Sequence, residues 1–401
     1  METWKKNLWI LWVGSFIVSS SFSMVIPFLP LFLIQIGVND HIELWSGILF
    51  SSAFLAGAIA SPFWGAVGDK YGRKPMIIRA GLALCVIYLL TAFVTSPYQL
   101  LVLRLLQGLL SGFIPGSIAL VGTNTPEKKV GYALSMISTA TATGSIMGPM
   151  LGGVLSKIFD NRIAFGSAGV LCFIATMLII FWVKEESFVP SKDSGSIVHT
   201  ISLAAHNRPF MIVLVLTLCT QFSVMTIEPV LPLYIVELGI SAKDASLAAG
   251  FVFSLVGVAG ILFAPRWGKL ADRVGFHKIL LIGLLAGGIG TLLQIPFHNI
   301  WWFSIIRFMY GIFFCAVFPA LNGLVVRTTE SEFRGRAFSL NQTASQLGGM
   351  LGPLVGGAIS GVFSIHAVFW VTGILLLGTM SLGYWSQRHA KQQPATVSRG
   401  M

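Results

Sequence analysis

Apolar residues run along this chain in long blocks, interrupted at short intervals by clusters of charge, glycine and proline. The blocks fall at about 8–36, 44–68, 76–95, 98–121, 131–157, 163–183, 209–236, 245–268, 279–296, 300–326, 337–361 and 365–386. Most reach or exceed the roughly 20 residues a helix needs to cross the hydrocarbon core of a bilayer. Backbone polar groups find no water there, so a lone spanning block must be helical. The pattern predicts an all-α membrane protein of twelve transmembrane helices. The first block is too long for a signal-peptide core and lacks a small-residue cleavage site, so it reads as the first span.

Composition agrees. Of the 401 residues, 55% are hydrophobic and only 10% charged, with a mean hydropathy of +0.82. A water-soluble surface needs more charge than that. The lipid bilayer is the expected surrounding, and the connecting loops leave little room for a soluble domain. The four cysteines (Cys85, Cys172, Cys219 and Cys315) lie far apart inside apolar blocks. They read as core residues, not as a disulfide or metal set.

The net charge of +11 would suggest nucleic acid if it were clustered. It is not. With a cytoplasmic N-terminus, one side of the membrane collects almost every loop lysine and arginine, from Lys5 and Lys6 to Arg388 and Arg399. The other side has only Lys157, Arg162 and Lys243. That is the positive-inside pattern, which places both termini in the cytoplasm of a multi-pass cell-membrane protein. No nucleic-acid partner is expected.

The chain repeats itself. Pro27-Phe-Leu-Pro30-Leu31 recurs as Pro229-Val-Leu-Pro232-Leu233. Pro62-Phe-Trp64-Gly65 with Asp69 and Gly72 recurs as Pro265-Arg-Trp267-Gly268 with Asp272 and Gly275. Arg104 and Gly108 recur as Arg307 and Gly311, and Gly148-Pro149 as Gly352-Pro353, at an offset of 202 to 204. Six spans per half is an even number, so both halves enter the membrane in the same sense. They are parallel repeats, with a site expected between them near the midplane. The expected organisation is a six-helix bundle over 1–183, a polar cytoplasmic linker over 184–208 with a short surface helix around 197–205, and a second six-helix bundle over 209–401.

These motifs resemble those of a known family. Gly65-x-x-x-Asp69-Lys-x-Gly72-Arg73-Lys74 looks like the signature loop of the major facilitator superfamily, and Arg104-x-x-Gln107-Gly108 resembles its fourth-helix motif. Gly144-x-x-x-Gly148-Pro149-x-x-Gly152-Gly153 resembles the fifth-helix motif of its exporters. Pro27-x-x-Pro30 resembles a feature of the twelve-helix drug:proton antiporters, and the overall run is similar to the MdtG-like multidrug exporters. The resemblance implies the major facilitator fold and proton-driven export by alternating access. It implies that Asp69 latches the two halves on the cytoplasmic side, with Gly65, Gly72, Arg73 and Lys74 forming the loop around it. Arg73 and Lys74 are expected to face the acidic-lipid side. Asp272 and Arg273 would be a second latch, weaker because Phe276-His277 replaces Arg-Lys. Gly144, Gly148, Pro149 and Gly152 would offer a small-residue packing face. That face is expected to slide during transport.

The chemistry centres on Glu228. The other acids lie in loops or at span ends, whereas Glu228 sits inside the seventh span. An ionised carboxylate there costs roughly 3 kcal/mol, and such residues usually mark proton or ion paths. The alternative is a carboxylate in a static pair. The adjacent Pro229 and Pro232 predict an interrupted helix. The first span, where related antiporters often carry an acid, has none between Glu2 and Asp40. By resemblance, Arg104 tunes a nearby acid; a structural role, bonded to carbonyls of a neighbouring helix, is the other reading. For its counterpart Arg307 the structural role leads.

Candidate cavity residues are Phe22, Ser23 and Met24 in the first span and Gln221, Phe222 and Met225 in the seventh. Asn322, Asn341, Gln342 and Gln346 follow in the tenth and eleventh. Met and aromatic groups repack around varied shapes, which suits lipophilic or cationic drugs. A dedicated sugar or metabolite exporter would need a more polar cavity, and a membrane sensor would need an output domain. No nucleotide, metal or hydrolase motif is present, so no enzyme activity and no cofactor beyond a proton gradient are expected. The exporter is expected to act as a monomer on small molecules and protons.

Overall fold

A computed structural model describes residues 2–126, 129–185, 205, 207–330 and 333–392. The surface helix expected around 197–205 and the basic positions Lys128, Lys192 and Arg399 lie outside the described residues, Ala205 excepted. So do the side chains of Asp69 and Lys243.

Sixteen helices are described. In the first half they are α1 (Thr3–Met24), α2 (Leu29–Gln35), α3 (Ile42–Tyr71), α4 (Arg73–Thr91), α5 (Pro97–Leu110), α6 (Phe113–Asn124), α7 (Val130–Ile158) and α8 (Asn161–Trp182). In the second they are α9 (Arg208–Ile227), α10 (Leu231–Glu237), α11 (Ala242–Val274), α12 (Phe276–Leu292), α13 (Ile300–Phe314), α14 (Val317–Thr328), α15 (Arg334–Val362) and α16 (Ile365–Gln392). Four spans are each split into two helices, which reduces the sixteen to twelve crossings.

The splits recur at matching places and have local causes. Between α1 and α2 the chain turns through Val25–Phe28, and between α9 and α10 through Glu228–Val230. In both cases a proline, Pro30 or Pro232, sits in the first turn of the second helix. Proline has no N–H for the preceding turn, so the ladder opens there. Between α5 and α6 the break is Ser111-Gly112, where Gly112 has a φ of 130°. Between α13 and α14 it is Cys315-Ala316.

Nine of the crossings are long and apolar enough to span a membrane by length and composition, and α12 is apolar but shorter. The remaining two, α7 and α15, have 29 residues each. They carry Ser, Thr, Gln and Gly where the others carry Leu and Phe. α7 and α15 each pack closely on one helix of their own half and on one of the other.

Within the first half, α1 packs on α7, α3 on α5 and α4 on α8. The second half repeats this with α9 on α15, α11 on α13 and α12 on α16. Buried apolar side chains form one core from Leu8 to Val183, and a separate core in two parts from Phe210 to Phe369 and Leu376. The halves meet along two seams, α3 against α15 and α7 against α11.

Both seams are closed at one end only. Gly47 lies against Pro353 and Gly357, and Ser51 Oγ donates to the Met350 carbonyl at 2.5 Å. On the other seam Gly250 lies against Pro149, Gly153 against Ser246, and Ser254 Oγ donates to the Ile146 carbonyl at 2.7 Å. Lys157 and Asp244 pair across it at 2.9 Å. At the opposite end, where the basic loops gather, a Cβ on Gly65, Gly131 or Gly268 would find open space within 4 Å. The bundles therefore touch at the end away from the basic loops and stand apart at the basic end.

Candidate transport site and its gates

Glu228 is the C-cap of α9, where the seventh span breaks. It is partly buried, and among the described residues its carboxylate has no hydrogen bond and no ion pair. The basic group that interacts with it electrostatically is Arg307 of α13. Arg307 is 7% exposed; its Nη1 donates to Gln294 Oε1 at 3.2 Å, and its guanidinium lies 5.5 Å from the Tyr310 ring centre. Gln294 is held in turn by donation to the Gly290 carbonyl at 2.8 Å. The Nε of Arg307 is buried without a partner.

Arg104 sits at the matching place in the first bundle but in different company. Its Nη1 donates to Gln107 Oε1 at 2.7 Å, and Gln107 Nε2 donates to the Tyr88 hydroxyl at 2.9 Å. Its electrostatic partner is Tyr88, and no described carboxylate lies beside it. The position matching Glu228 in the first half is Ile26. In this conformation Arg104 thus has no described acid to tune, and the basic group that interacts electrostatically with Glu228 is Arg307.

The signature loop is a tight joint. Gly72, with a φ of 104°, ends α3 and starts α4, and Gly275 repeats it at 97°. Only glycine enters that region without strain. The backbone N–H groups of Arg73 and Lys74 donate to the two carboxylate oxygens of Glu185 at 2.7 and 3.0 Å. That carboxylate caps the positive end of α4. The Lys74 Nζ donates to the Ile180 carbonyl at 3.0 Å. In the repeat, His277 Nε2 makes the matching contact with the Gly383 carbonyl at 2.9 Å. The Phe276-His277 change thus keeps this joint. Asp272 and Arg273 are exposed at the open end.

Arg79 lies inside α4. Its guanidinium stacks 3.4 Å from the Trp64 ring centre, and Nη2 donates to the Ser111 carbonyl at 3.0 Å, at the break in the fourth span. Trp64 and Trp267 fasten this region in each half by donating to the Leu109 and Ile312 carbonyls.

The glycine motif faces inward to its own bundle. A Cβ on Gly144 would stand 2.6 Å from the Phe16 carbonyl oxygen, and one on Gly148 would stand 2.5 Å from that of Ser20. Gly152 is pressed on Met24. In this conformation Gly144, Gly148 and Gly152 pack α7 on α1, and of the four motif residues expected on the sliding face Pro149 meets the other bundle. The adjacent face of α7, with Ile146, Pro149 and Gly153, meets the other bundle.

Ser23 and Met24 are buried in this same contact, with Ser23 Oγ donating to the Ser19 carbonyl at 3.0 Å. Met225 is buried against Gly352. In this conformation these three side chains are packed between helices. Phe22 is exposed, Gln221 and Phe222 are partly buried, and Gln342 is exposed. Asn341 accepts from Thr217 Oγ1 at 2.7 Å and donates to Asn322 Oδ1 at 3.4 Å, tying α9, α14 and α15 together. Gln346 Oε1 reaches across to within 3.8 Å of where a Cβ on Gly57 would stand.

Sequence reading missed the Glu185 cap, the Arg307–Gln294 anchor and the Gly47 and Gly250 crossings. The signal for the last two was present in the repeat, since Gly47 and Gly250 match at an offset of 203.

The chain matches the family model described as Major Facilitator Superfamily over residues 11–269 and again over 213–399. It is 38% identical over 384 residues to the multidrug resistance protein MdtG of Salmonella typhimurium and to that of Salmonella arizonae, with 94% of each chain covered. Among solved structures, a bacterial homologue of the human lysosomal transporter Spinster, inward-facing and unoccupied, superposes with a TM-score of 0.83 at 12% identity, covering 99% of this chain and 100% of that one. The nucleoside transporter NupG superposes at 0.78 and 14% identity, covering 94% and 99%. The chain belongs to the major facilitator superfamily.

Proposed function

We propose that this protein is a proton-coupled exporter of lipophilic or cationic drugs that works by alternating access, driven by the proton gradient with no other cofactor. The basic end is assigned to the cytoplasm, with both termini there, by the positive-inside pattern. On that assignment the described conformation is open inward and sealed outward.

One observation carries the reading. Glu228 sits at a break in a span, partly buried, with no hydrogen bond to lock it and a guanidinium nearby. A carboxylate so placed can hold a proton on one side and exchange it for a cationic cargo on the other. The drug class comes from the similarity to the MdtG proteins, and of the candidate cavity residues Phe22 and Gln342 are exposed. A single chain contains both bundles and the acid, so the monomer is a complete unit in this reading.

The test uses energised inverted vesicles and a lipophilic fluorescent cation. Cargo addition should release protons in the parent and not in Glu228→Gln. Normal exchange in that variant would sink the assignment.

A further inference from the structure

At the end away from the basic loops, the two bundles repeat one corner with different chemistry. In the first, Phe32 of α2 packs on Phe165 of α8 with ring centres 5.0 Å apart; in the second, Tyr234 of α10 packs on Phe369 of α16 at 4.8 Å. By the same offsets, 202 and 204, Gln35 corresponds to Glu237 and Arg162 to His366. In the first bundle the Arg162 guanidinium lies 5.6 Å from the Phe32 ring centre, and its Nη1 donates to the Ala92 carbonyl at 2.8 Å. Gln35 donates to the Asp160 carboxylate at 2.9 and 3.0 Å and accepts from Asn161 Nδ2 at 2.9 Å. A guanidinium stays charged in protein, so α2 is fastened to α8 beside a permanent cation.

In the second bundle a histidine takes the cation's place. The His366 ring stands at right angles to that of Tyr234, 5.4 Å between centres, and its Nδ1 lies 3.7 Å from Glu237 Oε1. The ring of His298, in the connection between α12 and α13, is 6.0 Å away. Among the described residues no hydrogen bond, ion pair or ring contact joins His366 to a charged or titratable group other than these three, although α9, α12 and α15 also pack on α16. The side chains of His366 and Glu237 are 30% and 49% exposed, so protons reach them from the outer water. Histidine is the side chain that changes charge between pH 5 and 8. An imidazolium here faces a carboxylate and an aromatic ring, the surroundings that favour a cation. A second proton, on His298, is opposed by the like charge beside it.

We propose that His366 is an acid-sensing clasp on the outer face: a proton taken from the outer side turns its contact with Glu237 into an ion pair that ties α10 to α16. The tie is present in acid and lost as the pH rises through the histidine range. Its place gives it consequence, because α10 is the outer half of the seventh span and touches α2 across the sealed end of the bundles. Outer acidity then stiffens one wall of that seal, while the wall built on Arg162 keeps its cation throughout. The clasp is separate from Glu228 and does not rest on the proton-coupled reading.

The experiment measures amide hydrogen exchange by mass spectrometry on the full chain in lipid nanodiscs at about pH 5.5 and about pH 7.5, corrected for the chemical exchange rate at each pH. In the parent, exchange of α10 should slow about two- to fivefold in acid, the range of a partly exposed ion pair. Exchange of α2, the internal control, should not change. His366→Gln and Glu237→Gln should each abolish the difference, and His366→Arg should give the slow α10 exchange at both pH values. His298→Asn should keep the difference. An α10 exchange that does not respond to pH in the parent would overturn the proposal. So would a response shared by α2, one that survives in His366→Gln, or one that disappears in His298→Asn.

Discussion

Pro149 and Gly250 meet backbone to backbone across the seam between the bundles. A Cβ added to Gly250 would stand 2.9 Å from the Pro149 carbonyl carbon, and one added to Gly47 would stand 3.1 Å from that of Pro353. Side-chain atoms cannot yield here, because the obstacle is main chain. Small residues allow such close crossings where lipid gives no hydrophobic drive between helices. Gly250→Leu should therefore prevent closure at this end without disturbing either core. The check is a reporter cysteine at Ser254, a buried seam position, in a chain without native cysteines. A membrane-impermeant maleimide should label it at least about tenfold faster in the leucine variant, as a shifted two-state population requires. Equal labelling would show that the seam tolerates the side chain.

Glu185 predicts a stability effect far from the proton site. Its carboxylate accepts from two N–H groups that have no partner within α4. Losing such a cap costs about 1 kcal/mol. Glu185→Ala should lower the melting temperature in detergent by a few degrees, with Glu185→Gln between the two. Part of the effect is charge against the helix dipole, so added salt should narrow the gap between Glu and Gln. An unchanged melting temperature in both variants would mean the cap is already satisfied by water.

The Asn341 bridge joins three helices through Thr217 and Asn322. Hydrogen bonds between membrane helices average about 0.6 kcal/mol, with a ceiling of about 2 kcal/mol. Asn341→Leu should therefore cost little stability, measured by the same thermal assay, and a loss far above that range would point to a wider network.

Much of this was legible in the sequence, and the parts that were not share a cause. Span count and the parallel repeat followed from block length and the offset between motifs. Glu228 stood out because an acid inside an apolar block needs a reason. Nothing in one dimension showed which arginine would face it, since Arg104 and Arg307 occupy equivalent places. That distinction depends on the surroundings of each arginine in the folded bundle, Gln107 and Tyr88 for Arg104 and Gln294 and Tyr310 for Arg307. Ser23 and Met24, expected at a cavity, are packed against α7 for the same reason: spacing shows that a face exists, not which helix covers it. The glycine motif shows this most directly, because every fourth residue marks one small face, and only packing assigns it to α1. The polar content of α7 and α15 was visible, but block-wise reading averaged it away.

The register of the closed seams predicts how the open end shuts. On one seam Gly47 meets Pro353 and the Glu43 backbone carbonyl faces Gly357; on the other Gly250 meets Pro149 and Ser246 meets Gly153. The helices on each seam run antiparallel, so contact partners have residue numbers that add to a nearly constant value. A step of about 18 residues makes five turns and returns to the same helix face, roughly 27 Å further along. One such step beyond Gly250 lies Gly268, and one before Pro149 lies Gly131. Both have open space around them in this conformation. If the bundles close at the basic end by rocking without sliding, these two glycines must come together as Gly250 and Pro149 do now. Gly131→Cys with Gly268→Cys, in a chain without native cysteines, should then form a disulfide, which needs Cα atoms about 4.4 to 6.8 Å apart. Adding Gly250→Leu, which holds the other end open, should raise the yield. If the bond forms instead only when one cysteine is moved by a turn, the helices slide as they rock, and the register of one end does not carry over to the other.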